Sequence, residues 1–404
     1  MPQTLVNLCA LEIQNGQLDL AILVGGEATR TRNRARKHGI TLPWTSGDEV
    51  IPAPDLVGED LTLNHQIELE RKIMWPIQIY PMFETALRAA SRRSVDEHQR
   101  HIGELWSRFS AVAATNPKAW TQRAYSTTEI ITPSKDNRNI GFPYTKVMNS
   151  NNDVDMAAAI IICSVERARS LGIPPDRWIF PQTGTDCHEH NFVSHRRTFS
   201  DTPAVRLGGA LALRLADKAI DDIGIIDLYS CFPSAVQLGA QSLGLSITRQ
   251  LTCTGGLSFA GGPWNNYVMH AIATMMTELR RNPKESALVW ANGGYATKHS
   301  FGVYAATPPK NGFRHGSPQA QIDVLPRRDV ATATQAAGPA IIEAYSVMHD
   351  RNGSPETVCA SALLSDGRRA WATSSEYALA EAMTRGEWVG KSMTLDALGT
   401  IHAF

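Results

Sequence analysis

Three short stretches hold the groups best able to do chemistry: Leu228-Tyr229-Ser230-Cys231-Phe232, Gly255-Gly256-Leu257-Ser258-Phe259-Ala260-Gly261-Gly262-Pro263, and Asn292-Gly293-Gly294-Tyr295. Glycine-rich backbone lets a ligand's carbonyl lie directly against N–H groups, so the middle stretch is first of all a binding loop. Cys231 supplies a thiol that can attack a carbonyl or donate a proton. Ser258 stands in a near match to the Gly-x-Ser-x-Gly elbow of serine hydrolases, with His299 downstream as a base. The final glycine of that pattern is absent, and a hydrogen bond from Ser258 to ligand or loop is the alternative. Lys298 and His299 follow a glycine pair, where a side chain either reaches a pocket or packs.

Two further clusters have a sharp and a bland reading. Cys187, His188, His190 and His195 offer nitrogen and sulfur ligands to a metal, but their spacing fits no zinc pattern, and a polar interface loop is the alternative. Arg30, Arg32, Arg34, Arg36 and Lys37 could hold a nucleotide phosphate or form a solvated helix face. No metal is assigned.

The elements that position these groups follow from composition and periodicity. At 404 residues and 43% hydrophobic content, the chain is long enough for two or three domains with sizeable cores. Lys plus Arg equals Asp plus Glu at 39 each, so no global field draws it to nucleic acid or an anionic membrane. No apolar run reaches the ~18 residues of a membrane span, and the start lacks a signal-peptide pattern; a cytoplasmic protein is expected. Six cysteines without CxxC spacing argue against a disulfide framework or a thiolate zinc site.

Pro2 opens a helix with Leu5, Leu8, Leu11 and Ile13 at roughly helical spacing, closed by Asn15-Gly16. A strand is expected over 18–24 and a basic helix after Gly25-Gly26. From about 40 to 138, residues rich in Pro, Trp, Asp and Asn carry amphipathic stretches at 81–94 and 96–114, which indicates an inserted helical and loop-rich lobe. Strands over 156–163, 177–183, 223–228, 287–291 and 301–305 alternate with helices over 164–171, 204–219, 233–243 and 267–280, the pattern of a layered α/β sheet. After Pro308-Pro309-Lys310-Asn311-Gly312, strands over 340–348, 356–364 and 369–374 predict a small OB-like barrel. Barrels of this kind often bind single-stranded nucleic acid, yet from residue 312 onward eight basic residues face ten acidic ones, the wrong balance for tracking phosphates.

In this order the three loops resemble those in the C-terminal half of thiolases, particularly the sterol-carrier-protein type, over roughly residues 1–306. The stretch Ala291-Asn292-Gly293-Gly294-Tyr295-Ala296-Thr297-Lys298-His299-Ser300-Phe301-Gly302 is the most specific part. With the extra C-terminal segment, the chain is most similar to thiolase-like protein type 1, a branch often labelled acetyl-CoA acetyltransferase. The resemblance implies acyl-CoA or CoA as ligand or substrate, with no resident cofactor, and loops that receive its pantetheine arm. It places Cys231, Tyr229 and His299 in the catalytic set. It places Gly255, Gly256, Ser258, Gly261, Gly262, Asn265, Asn292, Gly293 and Gly294 around the substrate.

Several reactive groups of that family are absent. The His-Asp-Cys-Phe motif appears as Tyr229-Ser230-Cys231-Phe232, the Gly-His-Pro motif as Gly261-Gly262-Pro263, and a further cysteine position is Ala291. The nucleophile's helix resembles residues 2–16, so its place falls at or just before Met1, and Cys9 lies two turns in. An unactivated thiol stays near pKa ~8.5 and loss of an oxyanion donor costs about 10²–10³ in rate, so ordinary thiolysis is expected to be weak. The implied domains are a partial thiolase N-terminal domain at 1–38 and 139–172, the insert at 39–138, a thiolase C-terminal domain at 173–310, and the added barrel at 311–404. Strands at 18–24 and 156–163 look like the fourth and fifth of the N-terminal sheet, with no counterpart of the first three. An upstream start, a homo-oligomer or a partner subunit is therefore expected to cover Leu5, Leu8, Leu11, Ile22 and Val24. A non-catalytic CoA-binding or scaffold subunit is the other functional expectation, and neither nucleic acid nor membrane is expected as a partner.

Overall fold

The computed structural model describes residues 1–44 and 55–403. Proline at the first turn starts α1 (Pro2–Gln14), followed by β1 (Leu20–Ala28) and α2 (Thr29–Lys37). The basic residues Arg32, Arg34, Arg36 and Lys37 are exposed, while Arg30 pairs with Asp153 and lies over Trp120. The lobe contributes α3 (Gln66–Glu70), α4 (Pro76–Ser91), α5 (Val95–Thr115) and α6 (Thr127–Ile131). Reciprocal caps start α5 at Ser94 with Glu97 and α6 at Ser126 with Glu129. Short strands β2 (Asn139–Phe142) and β3 (Tyr144–Thr145) then lead back to β4 (Asp155–Cys163), which pairs antiparallel with β1.

The central sheet is assembled from the alternating segment. After α7 (Val165–Ser170) come β5 (Phe180–His188), α8 (Pro203–Leu215), β6 (Ile225–Leu228), α9 (Pro233–Leu243), the short α10 (Gly256–Phe259), α11 (Tyr267–Arg281), β7 (Ser286–Gly293), β8 (Lys298–Ala305) and β9 (Arg314–Gly316). The strand order is β6-β7-β8-β5-β9. Alternation along β5 shows how the layers form. Thr183 and Thr185 donate to carbonyls of α8 (Ala212 and Gly208), whereas Asp186 on the opposite face accepts from Thr4 and Asn7 of α1.

The leucine spacing in α1 does not mark its buried face. Gln3, Val6, Asn7, Cys9 and Ala10 are buried, while Leu5, Leu8 and Leu11 are half-buried. Gly184 and Gly302 are the reason: a Cβ at Gly184 would meet Asn7 Oδ1 at 2.0 Å and one at Gly302 would meet Gln3 Nε2 at 2.4 Å. The absent side chains let two amides enter the core, where Gln3 accepts from Tyr304 and Asn7 bonds Asp186 and Ser300. On the β1–β4 pair, Ile22, Val24 and Ile161 are exposed.

The C-terminal region holds α12 (Gln319–Asp323), β10 (Gly338–His349), β11 (Pro355–Leu364), β12 (Arg369–Ser374), α13 (Tyr377–Met383), β13 (Ser392–Leu395) and β14 (Ile401–Ala403). Its strands run β12-β11-β10-β13-β14. Among the described residues the ends of this path meet through one isolated bridge, Thr373 to Thr400, so the expected barrel is a coiled sheet without a closing ladder. β2 also pairs with β10, Phe142 opposite Val347.

This sheet is fastened to the rest by buried polar contacts. Thr85 of α4 donates to the carbonyl of Tyr345 and accepts its N–H, and Arg88 makes a two-pronged pair with Glu387 at 2.8 Å. Arg369, with 0% of its surface exposed, forks onto Glu343 at 2.8 and 2.7 Å and donates to the carbonyls of Val193, Ser194 and Arg196. Substituting Glu343→Ala would leave that guanidinium buried with neutral acceptors alone, and we expect a loss of about 3–5 kcal/mol, seen as a lower urea midpoint. A loss below about 1 kcal/mol would contradict this account of the junction.

Candidate active site

A cavity of about 890 Å³ opens between the first turn of α1, the end of β1, the start of α4 and the loops after β6 and β7. Of the residues singled out in the sequence, Tyr229, Cys231, Asn265, Asn292, Gly293 and Gly294 line it. Gly255, Gly256, Ser258, Gly261, Gly262 and His299 lie behind that wall. A Cβ at Gly255 would meet Ala113 at 2.4 Å and one at Gly256 would meet Phe109 and Ser230 at 2.7 Å, so both glycines receive α5. The space beyond Gly261 is taken by Met156 and that beyond Gly262 by Asn152 Oδ1, 2.7 Å from an added Cβ.

Cys231 sits two residues before α9, on the wall and 8% exposed. Burial pushes its thiol up to about 12, opposed by the Tyr80 hydroxyl, so at neutral pH it is protonated. A thiol in that state is a proton donor and a poor nucleophile. Tyr229 beside it packs edge-on against Tyr267, ring centroids 5.6 Å apart, and burial raises its phenol as well.

Tyr80 is a site residue that sequence reading missed. It belongs to α4, and its hydroxyl donates to Gly294 O at 3.1 Å while accepting from Asn292 Nδ2 at 3.0 Å and Ala296 N at 2.9 Å. Its position inside an amphipathic helix gives no local sign of this role. With its amide nitrogen engaged, Asn292 Oδ1 has no hydrogen-bond partner among the described residues, and neither does Oδ1 of Asn149, another lining residue. Trp75 and Trp264, 60% and 53% exposed, also contribute to the lining.

His299 faces away from the cavity. Alternation along β8 puts Lys298 on the lining and His299 in the core, where its Nδ1 accepts from Trp290 Nε1 at 3.2 Å. Burial, aided by the Arg196 charge, lowers its pKa to about 3. The serine-hydrolase arrangement is not formed: Ser258 donates to Asn149 O at 2.9 Å and accepts from Trp106 Nε1 at 3.1 Å, and it makes no bond with His299. Cys187 is buried and donates to Ala204 O, His188 contacts Glu189 O through Nδ1, and His190 and His195 lie in the following loop. Among the described residues no three His, Cys, Asp or Glu side chains are grouped to hold a metal ion, and no helix is long and apolar enough to cross a membrane.

The layered sheets have a thiolase-like arrangement, with Cys231 on the cavity wall. The family described as the thiolase-like protein type 1 additional C-terminal domain matches residues 319–400. The crystal structure of a monomeric SCP2-thiolase like protein type 1 from Mycobacterium smegmatis is similar with a TM-score of 0.85 and 29% identity, over 100% of this chain and 82% of that one. An Ltp2-ChsH2(DUF35) aldolase is similar at 0.57 and 17% identity, over 75% and 77% of the two chains. The dimeric peroxisomal thiolase of Saccharomyces cerevisiae gives 0.50 and 13%, over 75% and 73%. No curated protein sequence matches it. The chain has the thiolase-like fold and carries the additional C-terminal domain of the type 1 proteins. One of these relatives is monomeric and another dimeric, so they do not jointly support the expected homo-oligomer.

His299 generates a pH prediction. Its folded pKa lies below the unfolded value of about 6.5, so the unfolded chain binds the extra proton and stability falls as pH drops from about 6.5 toward 3, by about 1.4 kcal/mol per pH unit. His299→Gln keeps an acceptor for Trp290 and removes the titration. Its unfolding free energy, measured from pH 6 to 4, should therefore fall less steeply than wild type by one proton's worth, and equal slopes would refute the buried neutral imidazole.

Proposed function

We propose that this chain is an acyl-CoA-binding thiolase homologue in which acyl transfer is weak or altered and Cys231 serves as a proton donor. The observation that carries this reading is the buried thiol of Cys231 on the wall of a large cavity, its pKa raised by that burial, next to the Asn292–Gly294 loop. The carboxamide side chains of Asn149, Asn152, Asn265 and Asn292 around the cavity suit the amide groups of a pantetheine arm. The exposed faces of Trp75 and Trp264 suit the apolar or aromatic ends of the same ligand. Coenzyme A enters as ligand or substrate.

The missing histidines shape the chemistry. At 262 the space for a side chain is filled by Asn152, and at 229 a tyrosine with a raised pKa stands where the family's motif has histidine. Without an imidazole near the thiol, nucleophilic activation is absent, and groups that act as a unit lose most of their effect together. A second reading, a non-catalytic CoA-binding or scaffold subunit, is favoured by the same observation, because no carboxylate or imidazole is hydrogen-bonded to Cys231 among the described residues.

Calorimetry with CoA and acetyl-CoA should detect binding below millimolar concentration, and its absence on folded protein would remove both readings. Acetoacetyl-CoA thiolysis should run several orders of magnitude below that of an intact thiolase. Cys231→Ala should abolish residual transfer while leaving CoA affinity within a few-fold, whereas transfer that survives the change would show that Cys231 is not the reacting group.

A further inference from the structure

Lys298 opens β8 and has no part in the chemistry assigned to Cys231. Strand alternation places it on the same face as Ser300 and Gly302, which α1 covers through Asn7 and Gln3. It stands directly opposite Gly293 of β7. A Cβ at Gly293 would lie 3.3 Å from Lys298 Cε and 3.7 Å from the sulfur of Met1. The glycine thus leaves room for the aliphatic stem, and Lys298 joins the cavity lining with Met1, Pro2 and Leu5. Among the described residues of that lining, Lys298 and Glu27 alone carry charged side chains, and neither has an ion-pair or hydrogen-bond partner there. Asp186, on the same face of the neighbouring strand, is taken by Thr4, Asn7 and His315. Glu27 belongs to another wall, on the face of β1 shared with Gly25, where Asn266 packs. A half-buried ammonium without a counter-charge gives up hydration and gains no ion pair. An anionic group on a ligand would supply the missing charge-assisted hydrogen bond.

The place of the cation selects the anion. Gly293 lies between Asn292 and Gly294, both bonded to the Tyr80 hydroxyl, and the Tyr80 ring stacks on Phe232 beside Cys231 with centroids 4.6 Å apart. Lys298 therefore stands on the wall that holds the thiol. The phosphates of coenzyme A are at the opposite end of the pantetheine arm from the thioester, so a thioester that meets Cys231 carries them away from Lys298 and brings its acyl group toward it. We propose that Lys298 is a specificity-determining residue that receives a carboxylate at the free end of the acyl group, so that the site selects dicarboxylic acyl thioesters over neutral ones. This rests on the reading of the cavity as an acyl-CoA site. The ligand binds as its carboxylate, and no bond forms or breaks at Lys298.

The test is calorimetry with two ligand pairs matched in chain length, succinyl-CoA against butyryl-CoA and glutaryl-CoA against valeryl-CoA, with coenzyme A alone as reference. Wild type should bind at least one dicarboxylic thioester about tenfold more tightly than its neutral match, and the preference should shrink as salt is raised. Lys298→Met keeps the stem and should abolish the preference while leaving the affinity for coenzyme A within about twofold; Lys298→Arg should retain most of it. Equal affinities within both pairs in wild type would overturn the proposal, and because that comparison needs no variant, a substitution that fails to fold leaves it decisive. A loss in Lys298→Met shared equally by coenzyme A and all four thioesters would also overturn it, by placing the phosphates at Lys298. Failure of the underlying reading shows separately: folded wild type would then bind none of the five ligands, and the proposal would fall with it.

Discussion

The carboxylate of Glu84 ties together the parts on which the cavity depends. It is wholly buried on α4 and gathers His98 of α5 at 2.5 Å, Tyr144 of β3 at 2.6 Å and Gln237 of α9 at 2.6 Å. Burial works to raise its pKa, but hydrogen bonds from His98, Tyr144 and Gln237, with the charge of His98, outweigh it and hold the carboxyl below its ordinary value. Tyr144 extends the network to Ser234, whose hydroxyl donates to Tyr80 O. One buried charge thus fixes the lobe against the helix that follows Cys231. Removing it would leave several donors unsatisfied at once, a larger loss than any single bond suggests.

Helix α4 is the member that transmits this order. Its N-terminal end supplies Trp75 and Tyr80 to the cavity, while Thr85 and Arg88, further along, are held by Tyr345 and Glu387 of the added domain. Gln78, between them, reaches Cys359 at 3.8 Å. No described residue of the C-terminal sheet lines the cavity, yet that domain holds the helix that does through Gln78, Thr85 and Arg88. A helix held on that side has little freedom to withdraw Tyr80 from its stack on Phe232, a physical route by which a domain remote from the cavity can bear on its shape.

How much of this was legible in the sequence depends on how local the cause is. Proline at the first turn and an unbroken apolar stripe marked α9 at Pro233–Leu243, and β-branched and aromatic alternation marked β12 at Arg369–Ser374, because those signals lie within the elements. The buried face of α1 was not legible. Its amides Gln3 and Asn7 enter the core only because glycines and polar partners wait some 180 to 300 residues away. The pairing of β2 with β10 is hidden for the same reason. His299 differs: once Lys298 is assigned to the cavity side, strand alternation alone turns its neighbour into the core, so that signal was present.

The glycines that first suggested a binding loop show why a surviving motif is weak evidence for a surviving reaction. Gly255 and Gly256 adopt φ of +103° and +77°, a region that disfavours side chains, and a Cβ at either would collide with Ala113 or Phe109 of α5. Their retention is explained by the close approach of the lobe, whether or not a ligand ever lies nearby. Packing alone accounts for glycine at these positions, and at Gly262 the space a side chain would take is held by Asn152. Any chemistry must come from groups that packing alone does not explain. These are the thiol of Cys231 on the cavity wall and the phenol of Tyr80, which donates to the Gly294 carbonyl and accepts from Asn292 and Ala296 in a site where burial makes every such bond matter.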